Sequence, residues 1–120
     1  MNHILVVDDH ADIRKLMSIT LGKRYEILEA QDAETALMLI ERYHPRVVLL
    51  DVMMPGKLDG LQVLDAIKSN PQTQDIIVAM VTARGQQADG EDARRRGADA
   101  YFVKPFSPLK VVGWVQEVLE

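Results

Sequence analysis

Apolar residues in this chain fall into five short runs, separated by stretches where they recur every three or four positions. Ile4-Leu5-Val6-Val7, Arg46 to Leu50 and Ile76 to Val81 are almost continuously aliphatic, which predicts strands buried on both faces, as in a parallel sheet. Tyr25 to Ala30 is less hydrophobic and reads as an edge strand; Ala100 to Val103 is the fifth. Between the runs the period changes. Ile13, Leu16, Met17, Thr20 and Leu21 share one helical face, and Gly22 can end that helix. Asp32 suits the N-cap of a second helix, with Ala33, Ala36, Leu37 and Ile40 inside. Leu61, Leu64 and Ile67 mark a third, which stops before Pro71. Ser107 and Pro108 open the last helix, which runs nearly to Glu120. The fourth, Gln86 to Arg96, is polar and contains Gly90, which costs about 1 kcal/mol against alanine in a helix interior; Gly97 is its expected cap. With no linker or repeat, residues 1–120 form one (βα)5 domain: a doubly wound parallel sheet with helices on both faces.

The ends of the strands carry the chemistry. Asp8 and Asp9 end the first run, Asp51 the third, Thr82 the fourth and Lys104 the fifth. In an open parallel α/β sheet these ends meet along one edge, where ligands bind. Taken singly, each residue has an ordinary explanation. Asp8 or Asp9 could cap the first helix, Thr82 could be a surface strand end and Lys104 a solvated amine. Together they are harder to dismiss. Two carboxylates about 4 Å apart repel by roughly 4 kcal/mol at an effective dielectric near 20, and Asp51 adds to this. A bound cation or Lys104 is therefore expected among them. The oxygen-rich donor set suits Mg²⁺, and the constellation suggests a phosphoryl group on Asp51. A cis bond at Lys104-Pro105 would aim the lysine into the site. His3, His10 and His44 are scattered and none reads as a metal ligand; only His10 is near the site. Arg94-Arg95-Arg96 reads as a solvated run that offsets the helix dipole.

Composition narrows the partners. The net charge of -4 argues against direct nucleic-acid binding. The absence of cysteine excludes disulfides, a thiol nucleophile and a thiolate zinc site. No run approaches the roughly 20 apolar residues of a membrane span, and the first strand begins too early for a signal peptide. A cytoplasmic protein without membrane contact is the expectation.

The motifs Val7-Asp8-Asp9, Leu50-Asp51-Val52-Met53-Met54-Pro55-Gly56, Val81-Thr82-Ala83 and Lys104-Pro105-Phe106 occur in order, each at a strand end. In combination they resemble the receiver domain of two-component response regulators, over Asn2 to about Leu119. The resemblance implies a flavodoxin-like fold with strand order 2-1-3-4-5. It implies that Asp51 accepts a phosphoryl group from a histidine kinase or histidine phosphotransfer protein. Asp8, Asp9, Asp51 and the backbone carbonyl of Met53 would hold Mg²⁺. Lys104 would neutralise phosphoryl charge and Thr82 would hydrogen-bond the group. Tyr101 would be the switch aromatic, turning inward as Thr82 moves. Ala83 would keep the approach open, while Met53 and Arg84 would tune water access. The face of the fourth helix, fifth strand and last helix would then act on an effector or output domain, or form a homodimer. The chain offers no output domain of its own, so it is expected to be a stand-alone receiver or an excised one.

Two departures stand out. The turn Pro55-Gly56-Lys57-Leu58-Asp59-Gly60 has one residue more than the family pattern, and the polar fourth helix is expected to be short or mobile. The last helix carries Val111, Val112, Trp114, Val115, Val118 and Leu119. Either Trp114, Val111 and Val118 form an exposed stripe, or Trp114 folds over the core edge. Competing functions are a pseudo-receiver that is never phosphorylated, a phosphohydrolase and a flavodoxin-like cofactor binder. Met53, where a hydrolase would want a second acid, argues against rapid turnover. Asp8-Asp9-His10, where a phosphate loop would lie, argues against the cofactor binder.

Overall fold

Strands and helices alternate as the periodicity predicts: β1 (His3–Val7), α1 (Ala11–Leu21), β2 (Glu26–Ala30), α2 (Ala33–Tyr43), β3 (Val47–Asp51), α3 (Gly60–Ser69), β4 (Ile77–Thr82), α4 (Gln87–Arg95), β5 (Ala100–Val103) and α5 (Pro108–Leu119). The computed structural model describes residues 2–54, 56–82 and 87–120. The strands pair in parallel in the order β2-β1-β3-β4-β5, as expected. The chain steps from β1 outward to β2, then crosses to β3 on the other side. The gap between β1 and β3 is therefore the topological switch point, where such sheets bind ligands at their carboxyl ends.

Period-two alternation divides the sheet's side chains between two cores. Leu5, Val7, Val48, Leu50, Val78 and Met80 pack with Ala36, Ile40, Val63, Leu64 and Ile67 from α2 and α3. Ile4, Val6, Val47, Leu49 and Ala79 pack with Met17, Leu21, Val111 and Val115 from α1 and α5. Burial on both faces explains why β1, β3 and β4 are uninterrupted aliphatic runs.

Element ends differ from the sequence reading in ways that bear on the site. β3 and β4 each end one residue later, so Asp51 and Thr82 are strand residues held by ladder pairing rather than loop residues. β2 begins at Glu26; Tyr25 is buried instead, its hydroxyl donating to Glu120. The N-cap of α1 is His10, not Asp8 or Asp9. Leu16 is 42% exposed, so the buried face of α1 is narrower than its spacing suggested. Gly22 caps α1 in the right-handed region, with no need of glycine's freedom. Gly97, at φ 106°, does use it: its N–H and that of Ala98 close onto the carbonyls of Arg94 and Ala93, ending α4 in a Schellman turn. Among the described residues α4 is the shortest helix, at nine, and Gly90 does not interrupt it; Gln86 lies outside the described residues. The exposed stripe on α5 does not form. Val111 is 1% exposed, and Trp114 meets Phe102 edge-on at 5.9 Å, over the rim of the core.

Gly60 carries the tightest steric constraint. It opens α3 behind Asp59, whose carboxylate accepts from Gln62 N–H while the Gln62 side chain accepts from Asp59 N–H, a reciprocal cap the sequence reading missed. A Cβ on Gly60 would fall 2.0 Å from the carbonyl oxygen of Asp51. Gly113, on α5, has open space around it. Gly60→Ala is expected to destabilise the fold by about 2–3 kcal/mol, and Gly113→Ala to stabilise it by about 0.5–1 kcal/mol. Urea unfolding of both variants checks this; a neutral Gly60→Ala would show that the contact relaxes.

Candidate functional site

Among the described residues only three polar or charged side chains are buried: Asp8 at 3%, Asp51 at 4% and Thr82 at 0% exposure. All three lie at the carboxyl edge of the sheet. Burial of such groups is costly unless they are paired. Asp51, the last residue of β3, is fixed from below by the β3–β4 ladder and behind by the hydrogen bonds from Val52 N–H to Val81 and from Gly60 N–H to Val52. Asp8 follows β1 and is held by its own N–H on the Ala30 carbonyl, 3.1 Å. Arg14 donates from Nη1 to the Asp8 carbonyl at 2.7 Å. Lys104 follows β5, its N–H on the Thr82 carbonyl, and the Lys104–Pro105 bond is cis.

The Lys104 ammonium lies between the two buried acids, with Nζ 2.9 Å from Asp8 Oδ2 and 3.4 Å from Asp51 Oδ2. The pairing is unequal and so are the consequences. Burial pushes the Asp8 carboxyl up, but the Lys104 and His10 hydrogen bonds more than offset this and hold it below the ordinary range. For Asp51, burial and then the Asp8 charge dominate; its carboxyl is pushed up to about 6. Burial lowers Lys104, yet its two carboxylate partners leave it above its ordinary value.

Asp9 is exposed beside this pair. His10, set aside in the sequence reading, is part of the cluster: Nδ1 lies 2.9 Å from Asp8 Oδ1 and 3.2 Å from Asp9 Oδ1. One donor atom each from Asp8, Asp9, His10 and Asp51 fall within 4.8 Å of one another, a cluster able to hold a metal ion. Met53 follows in the loop, its N–H 3.3 Å from Asp51 Oδ1 and its side chain exposed.

Among the described residues Thr82 Oγ1 has no hydrogen-bond partner, although the residue is fully buried. Such an orphan costs about 1–3 kcal/mol and is rare enough to need an explanation. By strand alternation Thr82 shares a face with Met80, and Met80 pairs with Tyr101 on β5, so Thr82 and Tyr101 are diagonal neighbours. The Tyr101 ring lies beneath the Arg94 guanidinium, 4.4 Å from its centroid. Arg96 pairs with Asp65 at 2.8 Å and Asp92 at 3.1 Å. Arg95, 70% exposed, reaches Asp92 only at 4.0 Å, so of the three arginines read as solvated it alone keeps that character. Ala83, Arg84 and Pro55 lie outside the described residues. Surface cavities of about 350 Å³ between α2 and α3 and about 430 Å³ along β5 are not lined by Asp8, Asp51 or Thr82. No helix among the described residues is long and apolar enough to cross a membrane.

The family model described as response regulator receiver domain matches residues 4–116. The phosphate regulon transcriptional regulatory protein PhoB of Escherichia coli (strain K12) is 38% identical over 117 residues, 97% of this chain and 51% of that protein. The probable transcriptional regulator ycf27 of Cyanophora paradoxa is 42% identical over 117 residues, 97% of this chain and 47% of that protein. This chain therefore spans about half the length of the curated relatives it matches. Among solved structures, the receiver domain of NtrX from Brucella abortus superposes with a TM-score of 0.89 at 38% identity, covering 97% of each chain. Vibrio cholerae chemotaxis protein CheY4 gives 0.89 at 30% identity over 99% of each. Since PhoB and ycf27 are named as transcriptional regulators, the expectation of no nucleic-acid partner gains no support from them.

The raised Asp51 carboxyl has a pH signature. Between its ordinary value of 3.8 and about 6 the folded state binds this proton more tightly than the unfolded state. The group's contribution to stability is thus fully present below about pH 4 and lost as pH rises through about 6. Without divalent ions, Asp51→Asn should gain on the wild type by about 2 kcal/mol between about pH 4 and pH 7. Chemical unfolding across that range reads the difference, and a gap that stays constant would show that Asp51 is not burdened by its burial.

Proposed function

The chain belongs to the response regulator receiver family of two-component signalling, and we propose that it is a phosphorylation-dependent switch with Asp51 as phosphoacceptor. Residues 1–120 act as the receiver, and any output lies in another domain or protein. The observation that carries this reading is the buried hydroxyl of Thr82, without a partner among the described residues, on the same strand-end edge as Asp51 and Lys104. A buried donor on an edge that also carries a buried acid and an ammonium suits an incoming group rich in acceptor oxygens. A phosphoryl group supplies them.

The donor is a phosphohistidine on a histidine kinase or histidine phosphotransfer protein. A carboxylate oxygen of Asp51 attacks phosphorus, the P–N bond to the donor imidazole breaks and an acyl phosphate forms on Asp51. Phosphoryl transfer demands little covalent work from the protein beyond positioning and charge stabilisation. The β3–β4 ladder and the closely packed Gly60 position Asp51. Lys104 moves from compensating two carboxylates to compensating the equatorial phosphoryl oxygens. Thr82 gains the acceptor it lacks. The all-oxygen set from Asp8, Asp9 and Asp51, with the Met53 carbonyl, fits Mg²⁺. Bound there, Mg²⁺ would supply positive charge against the developing phosphoryl charge. It would also offset the burial and the Asp8 charge that raise Asp51.

Phosphorylation adds about -1.5 to -2 charge beside Thr82. As Thr82 turns to that charge, space opens toward its diagonal neighbour Tyr101, and the face of α4, β5 and α5 shifts with it. That face then acts on an effector or output domain, or pairs two copies. A cytoplasmic location fits such a partner set.

Incubation with acetyl phosphate and Mg²⁺, followed by intact-mass spectrometry, is expected to add one phosphoryl group. Asp51→Asn and EDTA should each abolish it, and Thr82→Ala should slow its appearance by about tenfold. Failure to form an adduct where Mg²⁺ binds would favour the pseudo-receiver. Rapid phosphate release instead of an adduct would favour the hydrolase.

A further inference from the structure

The metal reading assigns oxygen donors only, yet the imidazole of His10 stands inside the same cluster. Around an octahedral ion with bonds of about 2.1 Å, adjacent donors lie about 3 Å apart. His10 Nδ1 meets that spacing against two acids at once, at 2.9 Å from Asp8 Oδ1 and 3.2 Å from Asp9 Oδ1. The Asp51 carboxylate completes a set within 4.8 Å. The side chain of His10 is 60% exposed, so no packing opposes a small ring adjustment toward a shared ion. Its backbone is fixed more firmly: as the N-cap of α1 it donates its own N–H to Asp8 Oδ1 at 2.9 Å and accepts from Arg14 N–H.

We propose that His10 is a direct nitrogen ligand of the divalent ion held by Asp8, Asp9 and Asp51, and that it biases the site away from Mg²⁺ toward ions that accept nitrogen. Mg²⁺ is hard and favours oxygen, whereas first-row transition ions accept imidazole readily. Mn²⁺ shares the octahedral oxygen chemistry of Mg²⁺ and will enter the same site, but it gains from the imidazole. The inference rests on the metal reading of the acid cluster given above.

The test uses the whole chain at about pH 8, above the ordinary imidazole range, with Mn²⁺ and Mg²⁺ as the probes. Electron spin-echo spectroscopy of bound Mn²⁺ is expected to show a ¹⁴N coupling in the wild type that is lost in His10→Ala and in His10→Gln. Calorimetric titration should show Mn²⁺ affinity falling about tenfold in His10→Ala, with Mg²⁺ affinity changed far less. A purely structural or hydrogen-bonding role would weaken both ions alike and leave no nitrogen signal, and that result overturns the proposal. So does a nitrogen signal that survives His10→Ala, since a nitrogen other than that imidazole would then be its source. If neither ion binds, or if binding is indifferent to Asp51→Asn, the acid cluster is not a metal site; the metal reading then fails first and this inference with it.

Discussion

One ammonium serves two buried carboxylates, and much at the carboxyl edge follows from that shortage of positive charge. Lys104 lies nearer to Asp8 than to Asp51. Asp8 therefore stays readily ionised, while Asp51, raised by its burial and then by the Asp8 charge, holds its proton to about pH 6. Burial and the Asp8 charge, which raise Asp51, would both favour the entry of a cation, because a divalent ion offsets the repulsion between the two carboxylates. His10 and Arg14 place further positive or donor groups around Asp8, not around Asp51. The asymmetry leaves Asp51 as the acid with most to gain from new positive charge.

The sheet explains why the groups converge at all. Asp8 and Asp51 sit on neighbouring strands at the switch point between β1 and β3, with Thr82 and Lys104 one and two strands further on. No loop has to fold in a special way to assemble them. Each needs only its strand to be in register, and register is enforced by two hydrophobic cores that a one-residue slip would turn inside out. The steric limit at Gly60 adds a local constraint, since α3 starts against the backbone of Asp51 with no room for a side chain.

This also accounts for what was legible in the sequence. Continuous aliphatic runs give buried parallel strands almost directly, and the residue that ends each run falls at the ligand edge by topology. Hence Asp8, Asp51, Thr82 and Lys104 could be picked out before any coordinates. What was not legible depends on contacts between elements that periodicity does not encode. His10 has no partner in sequence terms; only the turn after β1 brings its ring onto both acids. Arg94 sits in a charge run that resembles a solvated one, and only the packing of α4 against β5 lays it over Tyr101. For Trp114 the helical spacing fixed a direction but not whether Phe102 would be there to receive it.

Arg94 matters for how a switch could be poised. Tyr101 has two competing attachments. On one side lies Thr82, its diagonal neighbour, which in the proposed switch would govern the space into which the ring turns. On the other, the Arg94 guanidinium covers the ring face, a contact worth about 0.5–1 kcal/mol where exposed. That helix is tied in turn to α3 through Arg96 and Asp65. An attachment of this size is strong enough to favour one ring position and weak enough for a charge-assisted hydrogen bond to Thr82 to overcome. A polar α4, with Ala93 in the core among its described side chains, suits that role. Its position depends on ion pairs and a stacked arginine, which can exchange partners, where a deeply packed helix would resist. The sheet that aims Asp51 is thus held by two hydrophobic cores, whereas α4 is held largely by charged contacts.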